Sequence, residues 1–193
     1  MPGKVYLIGA GPGDPDLITW KGRRILERAG AVLFDHLAND ALVDLAPPGA
    51  ERLYVGKKKS LHLFTQDEIC GMLIDRARRG LTVVRLKGGD PYIFGRGGEE
   101  AEALADAGID FEVVPGVTTP LGIAAYTGVP LTHREHTSVV TFVTGHSVDE
   151  IDWERAGLAE TLVIFMGLTT FPAIAERLIA RGRPANTPAM AVR

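Results

Sequence analysis

Short apolar runs alternate with longer mixed stretches through the first half of the chain. Five of these runs predict strands, at Val5–Ile8, Ala31–Phe34, Arg52–Val55, Leu81–Leu86 and Phe111–Val114. Runs without a strict apolar–polar alternation are typical of parallel strands that are covered on both faces. The mixed stretches between them predict helices. Strand–helix alternation of this kind predicts an α/β fold with a parallel sheet and right-handed crossovers.

The helix predictions depend on apolar spacing and on the glycines that follow each stretch. They cover about Asp16 to Ala29, Gln66 to Arg79 and Gly98 to Ala107. Glu99 and Glu100 lie in the first turn of the third helix, where carboxylates interact favourably with the helix dipole.

The chain changes character after Pro115. Its second part predicts a helix, two strands, a helix and a last strand, at Val117–Tyr126, Ser138–Val143, Thr161–Phe165, Phe171–Arg181 and Ala189–Val192. The last apolar run has no following segment to cover its exposed side. We therefore predict two α/β domains, residues 1–114 and residues 115–193, the second of them incomplete.

Composition argues against several classes of protein. Of the 193 residues 46% are hydrophobic, but no apolar run approaches the length of a membrane span, so we expect a soluble protein without a membrane partner. No basic stretch precedes a long apolar one near the start, so no secretory signal is expected. The single Cys70 fits a reducing cytoplasm. With 21 Lys and Arg against 24 Asp and Glu, no nucleic-acid partner is expected.

Three of the predicted strands run directly into glycine-bearing loops, at Gly9–Asp14, Gly88–Pro91 and Pro115–Thr119. Ligands of open α/β sheets bind beyond the carboxyl ends of the strands. The three loops therefore predict one cleft in which bare backbone approaches a nucleotide-like ligand.

The first loop partly matches a dinucleotide-binding fingerprint, with glycines at 9, 11 and 13. That fingerprint needs its third glycine one position later, where this chain has Asp14. A carboxylate there would repel a pyrophosphate, and Pro12 and Pro15 remove two amide donors from the loop. A nicotinamide-dependent dehydrogenase is therefore a minor alternative. Glycine turns needed only for packing would explain one such loop better than three.

The second loop has the more unusual sequence, Gly88-Gly89-Asp90-Pro91. Its two glycines permit close approach of a ligand, and the aspartate could accept hydrogen bonds from a hydroxyl or ammonium group. The following Tyr92-Ile93-Phe94 offers apolar surface to a purine. The alternative is an ordinary turn at a strand end, since Gly, Asp and Pro all favour turns.

Two oppositely charged residues follow strand ends on the same predicted edge. Asp35 follows the second strand, and Lys57 follows Val55-Gly56 at the end of the third. Such a pair is a candidate for proton transfer if burial shifts its pKa values. A run such as Lys57-Lys58-Lys59 is more often a solvated surface.

Two further features favour structural interpretations. His133-Arg134-Glu135-His136 lies in a predicted loop with no second cluster to complete a metal site, so we expect anion binding or solvation and no metal. Cys70 lies on the helix from Gln66 and is expected to be a small buried apolar residue.

Several longer strings closely resemble the tetrapyrrole methylases, in the expected order and over nearly the whole chain. They are VYLIGAGPGDPDLIT, LFDHL, YVGK, RLKGGDPYIFGRGGEE, VVPGVTTPLGIAAYTGVPLTHR, VTGH and TLVIFMG. The most specific are RLKGGDPYIFGRGGEE and the segment ending PLTHR. The chain departs from the family at Cys70, where the family usually has Asn. Family members also continue for some tens of residues beyond the position of Arg193.

The resemblance implies two α/β domains with the active site in the cleft between them, and a homodimer. It implies S-adenosylmethionine as the methyl donor and S-adenosylhomocysteine as its product. The implied cofactor-binding residues are Pro12, Gly88, Gly89, Asp90, Ile93, Thr118, Thr119 and Met166. Asp35 matches the family's proton acceptor and Lys57 its proton donor.

The resemblance further implies that two ring carbons of uroporphyrinogen III are methylated to give precorrin-2, on the route to sirohaem and cobalamin. A polyanionic substrate needs a basic rim on a protein of formal net charge −3. Our candidates for that rim are Lys58, Lys59, Arg85, Arg96 and Arg134. The alternatives are a sister methylase that acts on a later corrin intermediate, and a nucleotide-sensing module without chemistry.

Overall fold

The computed structural model describes residues 2–56 and 64–192. These residues form two compact units, the first ending at Gly122 and the second beginning at Ile123. The domain boundary predicted between residues 114 and 115 stays a prediction. No helix within the described ranges combines the length and the apolar character needed to cross a bilayer.

The first unit contains a five-stranded parallel sheet. Its strands are β1 (Val5–Gly9), β2 (Ala31–Phe34), β3 (Glu51–Tyr54), β4 (Val83–Lys87) and β5 (Phe111–Val114). They lie in the order β3-β2-β4-β1-β5, with Val5 opposite both Val83 and Phe111. The predicted α/β fold with a parallel sheet is confirmed.

The helices that lie wholly within this unit are α1 (Trp20–Leu26), α2 (Asp40–Val43), α3 (Gln66–Arg78) and α4 (Gly97–Asp106). A further helix, α5 (Thr119–Thr127), begins in this unit and continues past Gly122. The single helix predicted from Asp16 to Ala29 is wrong. A 3-10 turn at Pro15–Leu17 comes first, and Thr19 then caps α1 by accepting a hydrogen bond from the Gly22 amide at 3.1 Å. This cap fixes the start of α1 because the Thr19 hydroxyl accepts a hydrogen bond from an amide that has no acceptor within the helix.

Both faces of the sheet are buried, which explains the continuous apolar runs. On one face Leu7 packs in a cluster with Leu73 of α3 and Leu104 of α4. On the other face Ile8 packs in a cluster with Ile25 of α1. Neighbouring residues of β1 thus point to opposite sides, as strand geometry requires.

The second unit contains a parallel pair of strands, β6 (Val140–Thr144) and β7 (Thr161–Phe165), with the helices α6 (Trp153–Gly157) and α7 (Phe171–Ala180). Trp153, Ala156 and Ile174 form the centre of its core.

The strand predicted at Ala189–Val192 is wrong, because its described residues belong to no strand. Met190 and Val192 are about half exposed. An apolar run becomes a strand only where another strand can pair with its backbone groups. In the described part of this unit, β6 and β7 pair with each other only.

Candidate functional site

The loops after β4, β1 and β5 meet at one edge of the sheet, because these three strands are neighbours. The amide of Ala10 donates to the carbonyl of Lys87 at 2.7 Å. Gly11 and Gly89 then form a bridge, their amides donating to each other's carbonyls at 3.2 and 2.7 Å. Asp90 ties in the third loop by accepting from the Gly116 amide at 3.0 Å. The structure thus brings together the three loops that the sequence singled out.

Two glycines are required by the close approach of these loops. A Cβ added at Gly9 would lie 2.5 Å from the Cα of Gly116, and one added at Gly116 would overlap the carbonyl oxygen of Gly89. No side chain fits between backbones at such distances. Any larger residue at either position must therefore push the loops apart.

Most of the predicted cofactor-binding residues of the first unit lie around this junction. Pro12 packs against Gly122, where an added Cβ would come within 2.5 Å of its ring. Gly89 has a φ of +63° and faces Thr119, whose Oγ1 would be 3.4 Å from an added Cβ. Thr118 precedes α5 and is buried. Gly88 lies against Leu37, which follows β2.

Apolar side chains lie exposed beside this bare backbone. The Asp90 carboxylate also accepts from the amide of Tyr92 at 2.9 Å, and so shapes the turn that follows. Tyr92, Ile93 and Phe94 are each at least a third exposed. Exposed apolar groups next to backbone that side chains leave uncovered are typical of a ligand-binding surface.

Met166, the remaining predicted cofactor contact, belongs to the second unit. It follows β7 directly, has a φ of +53° and is about half exposed. A positive φ at a residue other than glycine is uncommon and accumulates at functional positions.

The candidate proton acceptor Asp35 follows β2 and is held at both carboxylate oxygens. Its Oδ1 accepts from the amide of Leu37 at 3.0 Å, and its Oδ2 accepts from Nη2 of Arg85 at 3.0 Å. Gly56 packs against it, since an added Cβ there would lie 3.1 Å from the Asp35 Cβ. The chain therefore passes beside Asp35 immediately before Lys57. Lys57, Lys58 and Lys59 themselves lie outside the described residues.

Arg85, a candidate for the basic rim, lies largely inside the protein. Arg85 lies in β4 and is only 4% exposed, because its guanidinium points into a buried cluster of charges. Its Nε donates to Glu100 at 3.1 Å and its Nη1 donates to the Leu86 carbonyl at 3.0 Å. Its contacts within the protein thus use several of the donors that a substrate carboxylate would need.

The other two described basic candidates are exposed. Arg96 pairs with Glu99 at 2.7 Å, and this hydrogen bond holds the pKa of the Glu99 carboxyl below its usual value. Arg134 lies in the exposed loop between β-bridge partners His133 and Thr137 in the second unit. Their roles as substrate contacts stay predictions.

Two buried charged residues of this region were missed as functional candidates, Lys87 and Glu100. They pair at 3.1 Å, and Glu100 is completely buried. Burial, together with the positive charge of Arg85, lowers the pKa of Lys87.

The sequence does contain a feature that could have revealed this pair: two cations, Arg85 and Lys87, lie two positions apart on a buried strand. Buried charges need counter-charges, so a carboxylate had to come from another element.

Cys70 has the structural role that the sequence predicts. Cys70 is buried, and burial raises the pKa of its thiol.

The cluster of possible metal ligands lies in the second unit. The ligand atoms of His133, Glu135 and His136 lie within 4.8 Å of one another. However, the two imidazoles are stacked, with centroids 4.7 Å apart and planes 19° from parallel. A metal binds in the plane of an imidazole, and planes stacked in this way do not converge on one ion.

Comparison with known proteins fits this arrangement. The family model of the Tetrapyrrole (Corrin/Porphyrin) Methylases matches residues 4–193. The chain therefore belongs to the tetrapyrrole methylases.

Individual relatives share most of the chain. It is 52% identical over 192 residues to a sirohaem synthase of Pseudomonas fluorescens, covering 97% of this chain and 41% of that protein. The chain thus spans less than half the length of that relative. A uroporphyrin-III C-methyltransferase of Thermus thermophilus, solved in complex with S-adenosylhomocysteine, superimposes with a TM-score of 0.80 at 44% identity, over 94% of this chain and 78% of that one. A cobalt precorrin-4 methyltransferase of cobalamin biosynthesis superimposes equally well, with a TM-score of 0.80 at 34% identity over 93% and 75% of the two chains.

Proposed function

We propose that this chain transfers methyl groups from S-adenosylmethionine to two ring carbons of uroporphyrinogen III, giving precorrin-2. The observation that carries the proposal is that the loops after β1, β4 and β5 meet at one edge of the sheet. The chain also belongs to a family of methylases. Its similarity to a uroporphyrin-III C-methyltransferase at 44% identity supports the choice of substrate.

The residues at this edge fit an adenosyl sulfonium ligand. Gly89 has a left-handed backbone and no side chain, so the backbone of the loop is uncovered there. Asp90 offers carboxylate oxygens that can accept further hydrogen bonds from hydroxyl or ammonium groups. Ile93 supplies exposed apolar surface for an adenine ring. We infer that Pro12, Gly88, Thr118, Thr119 and Met166 complete the binding residues.

The chemistry needs positioning and the transfer of one proton. Bound S-adenosylmethionine supplies a sulfonium methyl group that is already activated for transfer to carbon. The protein must therefore hold an electron-rich pyrrole carbon in line with that methyl group. Because the sulfonium delivers a methyl cation and leaves as a neutral thioether, the ring system must lose one proton overall, and we assign Asp35 as the acceptor of that proton. We assign Lys57 as a donor to one ring position when the double bonds shift, with a further proton leaving another position of the ring system in exchange.

The proposal includes the arrangement around this chemistry. We infer that the active site lies in a cleft between two α/β domains, that the protein is a cytoplasmic homodimer, and that basic residues bind the substrate carboxylates. The candidates among the described residues are Arg96 and Arg134, and the candidates outside them are Lys58 and Lys59. Arg85 takes part differently, as a partner of Asp35.

A second candidate function is methylation of a later corrin intermediate. The TM-score of 0.80 with a cobalt precorrin-4 methyltransferase favours it, although the identity is lower, at 34%. The two functions share the cofactor and differ in the acceptor.

The test compares the two acceptors in separate assays. Purified protein is incubated with S-adenosylmethionine and with either uroporphyrinogen III or cobalt precorrin-4, and the products are separated by mass. We expect methylated product from uroporphyrinogen III at a kcat/KM well above that for the corrin. The reverse preference would replace the proposed substrate with the alternative one.

A further inference from the structure

The proposed chemistry does not use one buried carboxylate, that of Glu100, which is linked to the candidate proton acceptor Asp35 through Arg85. Glu100 of α4 is completely buried, and its Oε1 accepts hydrogen bonds from three side chains. The donors are Gln66 Nε2 at 3.2 Å, Arg85 Nε at 3.1 Å and Lys87 Nζ at 3.1 Å. One carboxylate oxygen thus accepts hydrogen bonds from side chains of both α3 and β4.

Glu100 holds the guanidinium of Arg85 in one orientation. The guanidinium is planar, so the hydrogen bonds at Nε and at Nη1, which donates to the Leu86 carbonyl at 3.0 Å, fix its plane. The remaining arm, Nη2, then points at Asp35 Oδ2 with a distance of 3.0 Å.

The second oxygen of Asp35 is fixed from another side, by the amide of Leu37 at 3.0 Å. Both oxygens of the Asp35 carboxylate therefore accept a hydrogen bond that fixes their position. A proton acceptor works only from the correct position, and a misplacement of about 1 Å can cost roughly 100-fold in rate. The position of Asp35 thus depends on Arg85, and the position of Arg85 depends on Glu100.

We propose that Glu100 is a positioning residue for methyl transfer: it anchors Arg85, which in turn orients the carboxylate of Asp35 for proton removal. This inference depends on the proposed function and deepens it, because it assigns a role to a residue remote from the reacting atoms.

A purely structural role for Glu100 makes a different prediction. Its loss would leave two buried cations, Arg85 and Lys87, without their shared carboxylate, and such a loss destabilises any protein. Destabilisation alone would lower the amount of folded enzyme equally in every background. A positioning role instead requires that the loss disappear when Asp35 can no longer accept the proton.

The experiment is a double-mutant cycle on turnover of uroporphyrinogen III. Glu100→Gln and Asp35→Asn are made singly and together, with Glu102→Gln as the matched control. Glu102 lies on the same helix and is exposed. Affinity for S-adenosylhomocysteine is measured by calorimetry for every variant, to confirm a folded cofactor site.

We expect Glu100→Gln to lower kcat about 10- to 100-fold while leaving the affinity for S-adenosylhomocysteine unchanged. In the Asp35→Asn background the same change should cost almost nothing further, and Glu102→Gln should behave as the unsubstituted protein. Arg85→Lys should lose a similar factor to Glu100→Gln, because lysine keeps the charge but has no planar fork.

Multiplicative losses in the double variant, or a fall in S-adenosylhomocysteine affinity that matches the fall in kcat, would overturn the proposal. If Glu100→Gln does not fold, Arg85→Lys replaces it in the cycle. If neither variant binds S-adenosylhomocysteine, the network is structural and the proposal is wrong. Absence of methyl transfer by the unsubstituted protein would instead reject the proposed function.

Discussion

Gly9 and Gly116 touch backbone to backbone, so that a Cβ added at Gly9 would lie 2.5 Å from the Cα of Gly116. The contact joins the ends of β1 and β5, two neighbouring parallel strands. It leaves no space for a side chain between the loops that we assign to the cofactor. The geometry of this edge therefore depends on the absence of two side chains as much as on the residues present.

The first prediction concerns this contact. Gly116→Ala should displace the β5 loop from Gly89 and Gly9, and break the hydrogen bond from Gly116 to Asp90. We expect a loss of at least tenfold in affinity for S-adenosylhomocysteine by calorimetry. Overpacking of this kind typically costs about 1–3 kcal/mol of unfolding free energy.

Gly71→Ala is the matched control. Gly71 lies within α3, and an added Cβ there would meet nothing within 4 Å. The free energy of unfolding should rise by about 0.5–1 kcal/mol, since alanine favours helix over glycine. Equal S-adenosylhomocysteine affinity in both variants would show that the contact of Gly9 with Gly116 does not shape the cofactor site.

The second prediction concerns Asp35. Asp35→Asn keeps an oxygen that can accept from the Leu37 amide but removes the group that takes the proton. Since general acid–base groups contribute about 10²–10⁴-fold, we expect kcat to fall within that range in a steady-state assay. The affinity for S-adenosylhomocysteine should hardly change. A fall in affinity with kcat intact would make Asp35 a binding residue.

The third prediction separates two roles for Lys57. If it donates a proton, Lys57→Met should lower kcat in parallel with Asp35→Asn. If it only pairs with a substrate carboxylate, the same variant should raise KM for uroporphyrinogen III and leave kcat nearly constant. Steady-state rates over a range of substrate concentrations distinguish the two, and no change in either constant would remove Lys57 from the mechanism.

The fourth prediction concerns Glu160, which lies just before β7. Its Oε2 accepts from the amides of Ser138 and Val139, at 2.5 and 3.0 Å, and these hydrogen bonds lower the pKa of its carboxyl. A lowered folded-state pKa stabilises the protein above the unfolded-state value, and this contribution disappears as pH falls through the folded-state value.

Glu160→Gln should therefore lower the melting temperature at pH 7, and the difference from the unsubstituted protein should shrink as the pH falls below the ordinary glutamate range. Thermal denaturation at a series of pH values measures both effects. A difference that stays constant down to low pH would show that the carboxylate charge is not what stabilises this connection.

The strands could be predicted closely because both faces of the sheet are covered. Ala31–Phe34 and Phe111–Val114 of the five-stranded sheet have the predicted bounds. So does Thr161–Phe165, which belongs to the two-stranded sheet of the second unit. The glycine loops could be grouped for a related reason, since carboxyl ends of parallel strands share one edge. The two shortest α-helices, Asp40–Val43 and Trp153–Gly157, were missed because so few residues carry no periodic pattern.

The environment of Asp35 could be predicted only in part. Its place at a strand end followed from the apolar run before it. Its partner Arg85 was named only as a candidate for the substrate-binding rim, because a basic residue gives no sign in the sequence of where its counter-charge lies. Here that counter-charge, Glu100, comes from a helix on one face of the sheet, and only the packing of α4 brings it to Arg85.

Methyl transfer to uroporphyrinogen III is the most direct test of the proposed function. The protein is incubated with S-adenosylmethionine carrying a labelled methyl group and with uroporphyrinogen III, and label is counted in the isolated macrocycle. Our account predicts two labelled methyl groups on ring carbons of each product molecule, with one S-adenosylhomocysteine formed for each. S-adenosylhomocysteine binding without any label in the macrocycle would contradict it.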